Sequence, residues 1–186
     1  MNIKLDSFIK DYCTSLVNAI ICLDHKQFEK IIDCVLVARQ NNKTIYLLGN
    51  GGSSATPSHS AGDWAKEIGI KAICLSDNVP MLTAFANDNG YENTFRKMLE
   101  IYLAPGDLVL AYSGSGCSRN ILQAVTYSRQ RKNTTIGITG NYKDKNGGEL
   151  VKIVDHSIIV QSNSMEQIED IHLIINHIIK EYIKSI

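Results

Sequence analysis

The spacing of apolar positions changes along the chain. Residues ~3–41 carry them at helical intervals, as in FEKIIDCVLVARQ, and the rhythm breaks near Leu23-Asp24-His25, so two helices are predicted. At TIYLLGN the pattern becomes a short, continuous apolar run ended by glycine, which marks a strand buried on both faces. DLVLAYSGSG and TTIGITGN repeat that run, HSIIVQSN echoes it more faintly, and KAICLSDN is a further candidate. Helical segments intervene at ~54–67, ~91–103, ~118–131 and ~164–185. Alternating strand and helix predict an α/β fold, a parallel sheet covered by helices on both faces. No low-complexity tract or linker interrupts the chain, so no internal boundary is drawn.

Three strand-to-turn joins, LLGNGGSS, LAYSGSGCS and GITGNYKDKNGG, share one loop chemistry and belong at one edge of the sheet, where such sheets take their ligands. The first two match neither GxxxxGK[ST] nor GxGxxG. They do supply glycines that let a ligand approach the backbone, and serines at a helix N-terminus, where unpaired N–H groups and the helix dipole favour an anion. Pro57 is expected in the first helical turn, where its missing N–H is tolerated. The second loop offers the hydroxyls of Ser113, Ser115 and Ser118, enough to hold a phosphate monoester without a basic side chain. Tight turns with serine caps are the plainer alternative. Two such loops at one sheet edge favour the phosphate.

Charge and composition narrow the partners. Nineteen Lys and Arg balance 19 Asp and Glu over 186 residues, so nothing basic points to nucleic acid. No apolar run approaches the ~18–20 residues of a membrane span, and MNIKLDSFIKDYC lacks the basic-then-apolar layout of a signal peptide. The five cysteines form no CxxC pair and are odd in number, which fits reduced thiols and a cytoplasmic protein. Cys117 lies in the second loop and reads as a small filler, not a nucleophile.

His59 and Asp63 stand four apart in the helix expected at ~54–67, so they project from one face about 6 Å apart. Imidazole and carboxylate at that spacing suit a divalent metal; a weak capping pair is the alternative. The C-terminal helix carries Glu166, Glu169, Asp170, His172 and His177. Its isoleucines define a packed stripe that Glu169 and His177 border, while His172 reads as a packing histidine.

Taken in order, GNGGSSATPSHSAGD, FANDNGYENTF, YSGSGCSRNIL and EQIEDIHLIINHI resemble the sugar isomerase (SIS) family. They are most similar to the phosphoheptose isomerases, which convert sedoheptulose 7-phosphate to D-glycero-D-manno-heptose 7-phosphate. The likeness covers nearly the whole chain. It implies a three-layer α/β/α sandwich, one SIS domain over 1–186 with a helical arm at 1–41 and an α/β core at 42–186. It also implies a homotetramer with active sites at subunit interfaces. Asn50, Gly52, Ser53, Ser54, Ser113, Gly114, Ser115, Ser118 and Glu166 would then hold the substrate and its phosphate, with Asn87 and Asp88 on the sugar hydroxyls.

The resemblance assigns zinc to four positions that fall on His59, Asp63, Glu169 and His177. Asp63 stands where the family usually has Glu, and Glu169 where it has Gln; both remain oxygen ligands. A carboxylate at Asp63 or Glu169 would take the proton of an enediol mechanism while His177 protonates oxygen or the neighbouring carbon. Glu169 and His177 are separated by ~12 Å of helix rise, so they share a metal only by leaning together, or a neighbouring subunit supplies one. The family's flap is longer than AKEIGIKAI and contains an Arg; here Lys66 and Lys71 are the cations. Gly114 also stands where the family favours Thr. Two alternatives stay open: a non-catalytic sugar-phosphate-binding SIS protein, and a metal-free isomerase of a shorter ketose phosphate.

Overall fold

The apolar runs become five parallel strands in a computed structural model that describes residues 4–186. The first residues of the expected domain, of its helical arm and of the N-terminal stretch read for a signal lie outside the described residues. Helices α1 (Leu5–Ile21) and α2 (His25–Gln40) lead into strand β1 (Thr44–Leu48), helix α3 (Gly52–Ile68) and strand β2 (Lys71–Cys74). Helices α4 (Val79–Asn89) and α5 (Thr94–Tyr102) precede β3 (Leu108–Ser113), α6 (Arg119–Gln130) and β4 (Thr134–Gly140). Helix α7 (Leu150–Ile153), strand β5 (His156–Val160) and helix α8 (Met165–Ser185) complete the described chain.

The strand order is β2-β1-β3-β4-β5, all neighbours parallel. Because side chains alternate across a strand, each apolar run feeds two cores. Ile45, Leu47, Leu110, Ile138 and Ile158 face α1, α2, α3 and α8, whereas Tyr46, Leu48, Val109 and Ala111 face α5, α6 and α7. The result is the expected three-layer α/β/α sandwich. The break between the first two helices is an N-cap: the Asp24 carboxylate accepts from the Lys26 and Gln27 amides at 3.0 and 3.2 Å. Among the described residues no helix is long and apolar enough to cross a membrane.

Three expectations are corrected. Helix α4 lies in a stretch that carried no helix prediction, although Asn78 caps it through the Met81 amide and Pro80 occupies its first turn. Its Met81, Leu82 and Phe85 only half-bury against the second core, so its apolar face is narrow. The segment at ~91–103 opens with a 3-10 turn at Tyr91–Asn93 before α5 begins. Pro57 sits in the second turn of α3, beyond the first turn where its ring would be free of consequence. There it cannot bond the Ser53 carbonyl one turn back. Gly49 packs against that carbonyl so closely that a Cβ would come within 1.8 Å of the oxygen.

Candidate functional site

Strand β1 pairs with β2 on one side and β3 on the other, so the chain reverses direction across the sheet at β1 and β3. The loops after those two strands part there and leave a crevice, the place where such sheets bind ligands. A cavity of about 170 Å³ fills it. Asn50, Ser53, Ser113, Gly114, Ser115, Ser118 and Glu169, all expected at the site, line it together with Tyr112 and Met165.

The two helix N-termini at this crevice differ. Ser118 is the N-cap residue of α6, yet its hydroxyl makes no capping bond, so it is free to meet a ligand. At α3, Glu169 already occupies the anion position: a Cβ on Gly52 would lie 2.1 Å from its Oε2, and Ser53 Oγ is 3.5 Å from its Oε1. Glu169 therefore stands where a second anion would, at the positive end of a helix dipole. Gly114 leaves room for Met165, whose Sδ would lie 2.3 Å from a Cβ built there. Asn50 is fixed before any ligand arrives. Its amide exchanges bonds of 2.9 and 2.8 Å with Asn120, and Tyr91 Oη donates to its Oδ1 at 2.8 Å. Sequence reasoning missed Asn120, Tyr91 and Met165, although YSGSGCSRNIL contains Asn120 and FANDNGYENTF contains Tyr91.

Other expected residues lie apart from the crevice. Asn87 and Asp88 are exposed at the end of α4, where Asn87 Nδ2 donates to Asp88 Oδ1 at 2.8 Å. Ser54 is half-buried, with its amide bonded to the Gly51 carbonyl at 2.9 Å. Glu166 is turned toward the start of α8, accepting from Ser164 Oγ at 2.8 Å. Its own amide and Ser164 hold its carboxyl below the usual range.

A second constellation lies farther along α3 and α8. The two helices run parallel in a fixed register: Ser53 meets Glu169, His59 meets His177, Asp63 meets Lys180 and Glu67 meets Lys184, at separations of 116 to 118 residues. His59 Nε2 and His177 Nε2 are 3.0 Å apart, and Asp63 Oδ2 lies 3.3 Å from the first and 3.8 Å from the second. These are the spacings of ligands that can share an ion: bonds of about 2.0 Å in a tetrahedral zinc site put neighbouring ligands ~3.3 Å apart. Two imidazoles and a carboxylate are also a zinc donor set, so the residues present fit a divalent metal. Glu169 is not among them; the same register that joins His59 to His177 carries it two turns back, to Ser53. Asp63 also meets Lys180, whose Nζ is 3.1 Å from Oδ2. Partial burial pushes the Asp63 carboxyl up, but Lys180, then His59 and His177, outweigh it and hold the group below the usual carboxylate range.

Known proteins share this sequence pattern and this fold. Residues 9–140 match the family described as SIS domain. The chain is 36% identical over 157 residues to a phosphoheptose isomerase of Sulfurimonas denitrificans, covering 82% of this chain and 78% of that one. It is 33% identical to phosphoheptose isomerase 2 of Campylobacter jejuni, over 95% and 90% of the two chains. The solved phosphoheptose isomerase of Francisella tularensis superposes with a TM-score of 0.88 over 98% and 97% of the chains, at 22% identity, and so attests the fold.

Proposed function

The chain belongs to the SIS domain family and groups with its phosphoheptose isomerases, and on that footing we propose that it interconverts sedoheptulose 7-phosphate and D-glycero-D-manno-heptose 7-phosphate. The observation that carries this reading is a phosphate crevice and an imidazole–carboxylate cluster set two turns apart along one helix, α8.

The phosphate is assigned to the N-terminus of α6, with Ser113, Ser115 and Ser118 around it, because Glu169 holds the equivalent position at α3. Its sugar chain then runs along the groove between α3 and α8. The eight residues of helix from Glu169 to His177 rise about 12 Å, and an extended chain advances roughly 1.2 Å per bond. The seven or eight bonds from the phosphorus of a ketoheptose 7-phosphate to its C2 and C1 therefore span ~8–10 Å. Side chains at either end cover the remainder. A pentulose phosphate, two carbons shorter, leaves a gap of about 2 Å more.

Aldose–ketose isomerisation moves a proton between adjacent carbons and another between their oxygens. Asp63, ionised at neutral pH, takes the proton from one carbon and returns it to the neighbouring carbon; in the metal-free protein Lys180 keeps its carboxylate aimed at the cluster. His177, half-exposed beside it, shuttles the proton at oxygen. Held by His59, Asp63 and His177, a divalent cation, zinc by its donor set, would supply positive charge that polarises the reacting oxygens. Within one chain this reading puts Glu169 at the phosphate end, beside Ser53.

We also read residues 1–186 as one SIS domain that assembles as a homotetramer with sites at its interfaces. Supporting this, an apolar hollow of about 540 Å³ between α1, α2 and α8 is bordered by exposed Ile21, Ile178 and Tyr182. The free cysteines support a reducing, cytoplasmic setting. The test is incubation of the protein with sedoheptulose 7-phosphate, with and without EDTA, followed by NMR of the products. The aldose should appear, and chelation should suppress it. Turnover of a shorter ketose phosphate but not of the heptulose would overturn the substrate, and turnover untouched by EDTA would overturn the metal.

A further inference from the structure

Lys180 is the group that the cluster's chemistry does not by itself require. Its side chain is 9% exposed, and its ammonium lies among three carboxylates: Asp63 Oδ2 at 3.1 Å, Glu181 Oε1 at 3.2 Å and Glu67 Oε1 at 3.5 Å. The first of these is the same oxygen that faces both imidazoles. That oxygen is therefore claimed twice, by an ammonium within the protein and by any cation the imidazoles help to bind. A metal bonded to it at ~2.1 Å would stand at most about 5 Å from Nζ, where like charges repel strongly in a half-buried setting.

Glu67 and Glu181 ease that conflict. If the ammonium had only Asp63, a metal would strand it nearly buried and unpaired, which is strongly unfavourable. Instead both carboxylates lie within 3.5 Å of Nζ, so the ammonium stays paired after giving up Asp63. Lys184 makes the arrangement continuous by holding Glu67 Oε2 at 2.6 Å from the next turn of α8.

We propose that Lys180 is a resident counter-ion that competes with a divalent cation for Asp63 Oδ2 and passes to Glu67 and Glu181 when the cation binds. Lys180 is thus a positioning residue: it keeps Asp63 directed at His59 and His177 in the metal-free protein and sets how weakly the cluster binds metal. This rests on the metal reading of the cluster, and the experiment separates the two.

Zinc and manganese binding to the full chain would be measured by calorimetry at pH 7.5, with far-UV circular dichroism confirming the fold. Lys180→Met should bind at least tenfold more tightly than the parent chain, and Lys180→Arg should bind like the parent. Glu67→Gln, which removes one of the two alternative partners and keeps Lys180, should bind several-fold more weakly, and it serves as the test if Lys180→Met does not fold. His59→Ala should abolish binding. Unchanged or weaker binding by Lys180→Met, or unchanged or tighter binding by Glu67→Gln, overturns the competition while loss on His59→Ala leaves the metal site standing. No binding by any of these chains removes the metal site, and the competition with it.

Discussion

Helices α3 and α8 present two polar seams that differ in nearly every physical respect. The outer seam is paired along its length: Ser53 with Glu169, His59 with His177, Asp63 with Lys180, Glu67 with Lys184. The seam turned toward the sheet is buried and bare. Trp64 Nε1, the Tyr112 hydroxyl, Thr139 Oγ1, both ring nitrogens of His172 and the whole amide of Asn176 make no hydrogen bond among the described residues. Ser60 and the Thr139 backbone lie near enough to influence Tyr112 and His172, but outside bonding geometry. Most buried polar groups in proteins are satisfied, and each that is not destabilises by about 1–3 kcal/mol. The outer seam is therefore satisfied, and the inner one carries the stability risk, reaching the crevice only through Tyr112.

The sharpest test of that contrast is His177→Ala. It should lower turnover by about 10²–10⁴, the range of a lost acid–base group, while leaving the melting temperature nearly unchanged, because the side chain is 42% exposed. A variant that unfolds would break the comparison. Next is His172, whose burial pushes its imidazole down to about 3. Between that value and the ordinary ~6.5 the unfolded chain binds the proton and the folded chain does not, so stability falls on acidification. Urea unfolding from pH 6.5 to 5 should show a slope of up to ~1.4 kcal/mol per pH unit, flat above pH 7. His172→Phe should remove that slope without raising KM for the sugar phosphate. Asp63 and Glu67, held low, add their own loss only below about pH 4–5. The smallest effect belongs to Lys184→Met at the end of the outer seam. Calorimetry should show a shift within about 4 °C, vanishing in high salt, since both partners are substantially exposed.

Much of the scaffold was legible because its signals are local. Runs such as TIYLL and LVLAY report burial on both faces, and the isoleucine stripe of α8 reports its packed side. His59 with Asp63 is likewise a one-turn relation that any helix enforces. Seams between helices are different, because they depend on which turn of one helix meets which turn of the other. The resemblance placed Glu169 and His177 at one ion, from one chain or two; within one chain the register brings His177 to His59 and carries Glu169 to Ser53. Lys180, Asn120 and Met165 escaped notice for the same reason: each matters through a partner far away in the chain. Helix α4 was missed on other grounds. It buries no residue fully, so its periodicity is faint, and only Asn78 with Pro80 announced it.

The parallel register of α3 and α8 also bears on how the protein acquires its activity. Partners 116 to 118 residues apart meet only after the intervening chain has closed a very long loop. Such contacts form late, and they slow folding relative to those within neighbouring strands. Met165 and Glu169 of α8 line the crevice and His177 of α8 completes the imidazole cluster, so neither is complete until α8 docks. Competence thus waits on the docking of α8, and any partner that delays that docking would hold the chain idle.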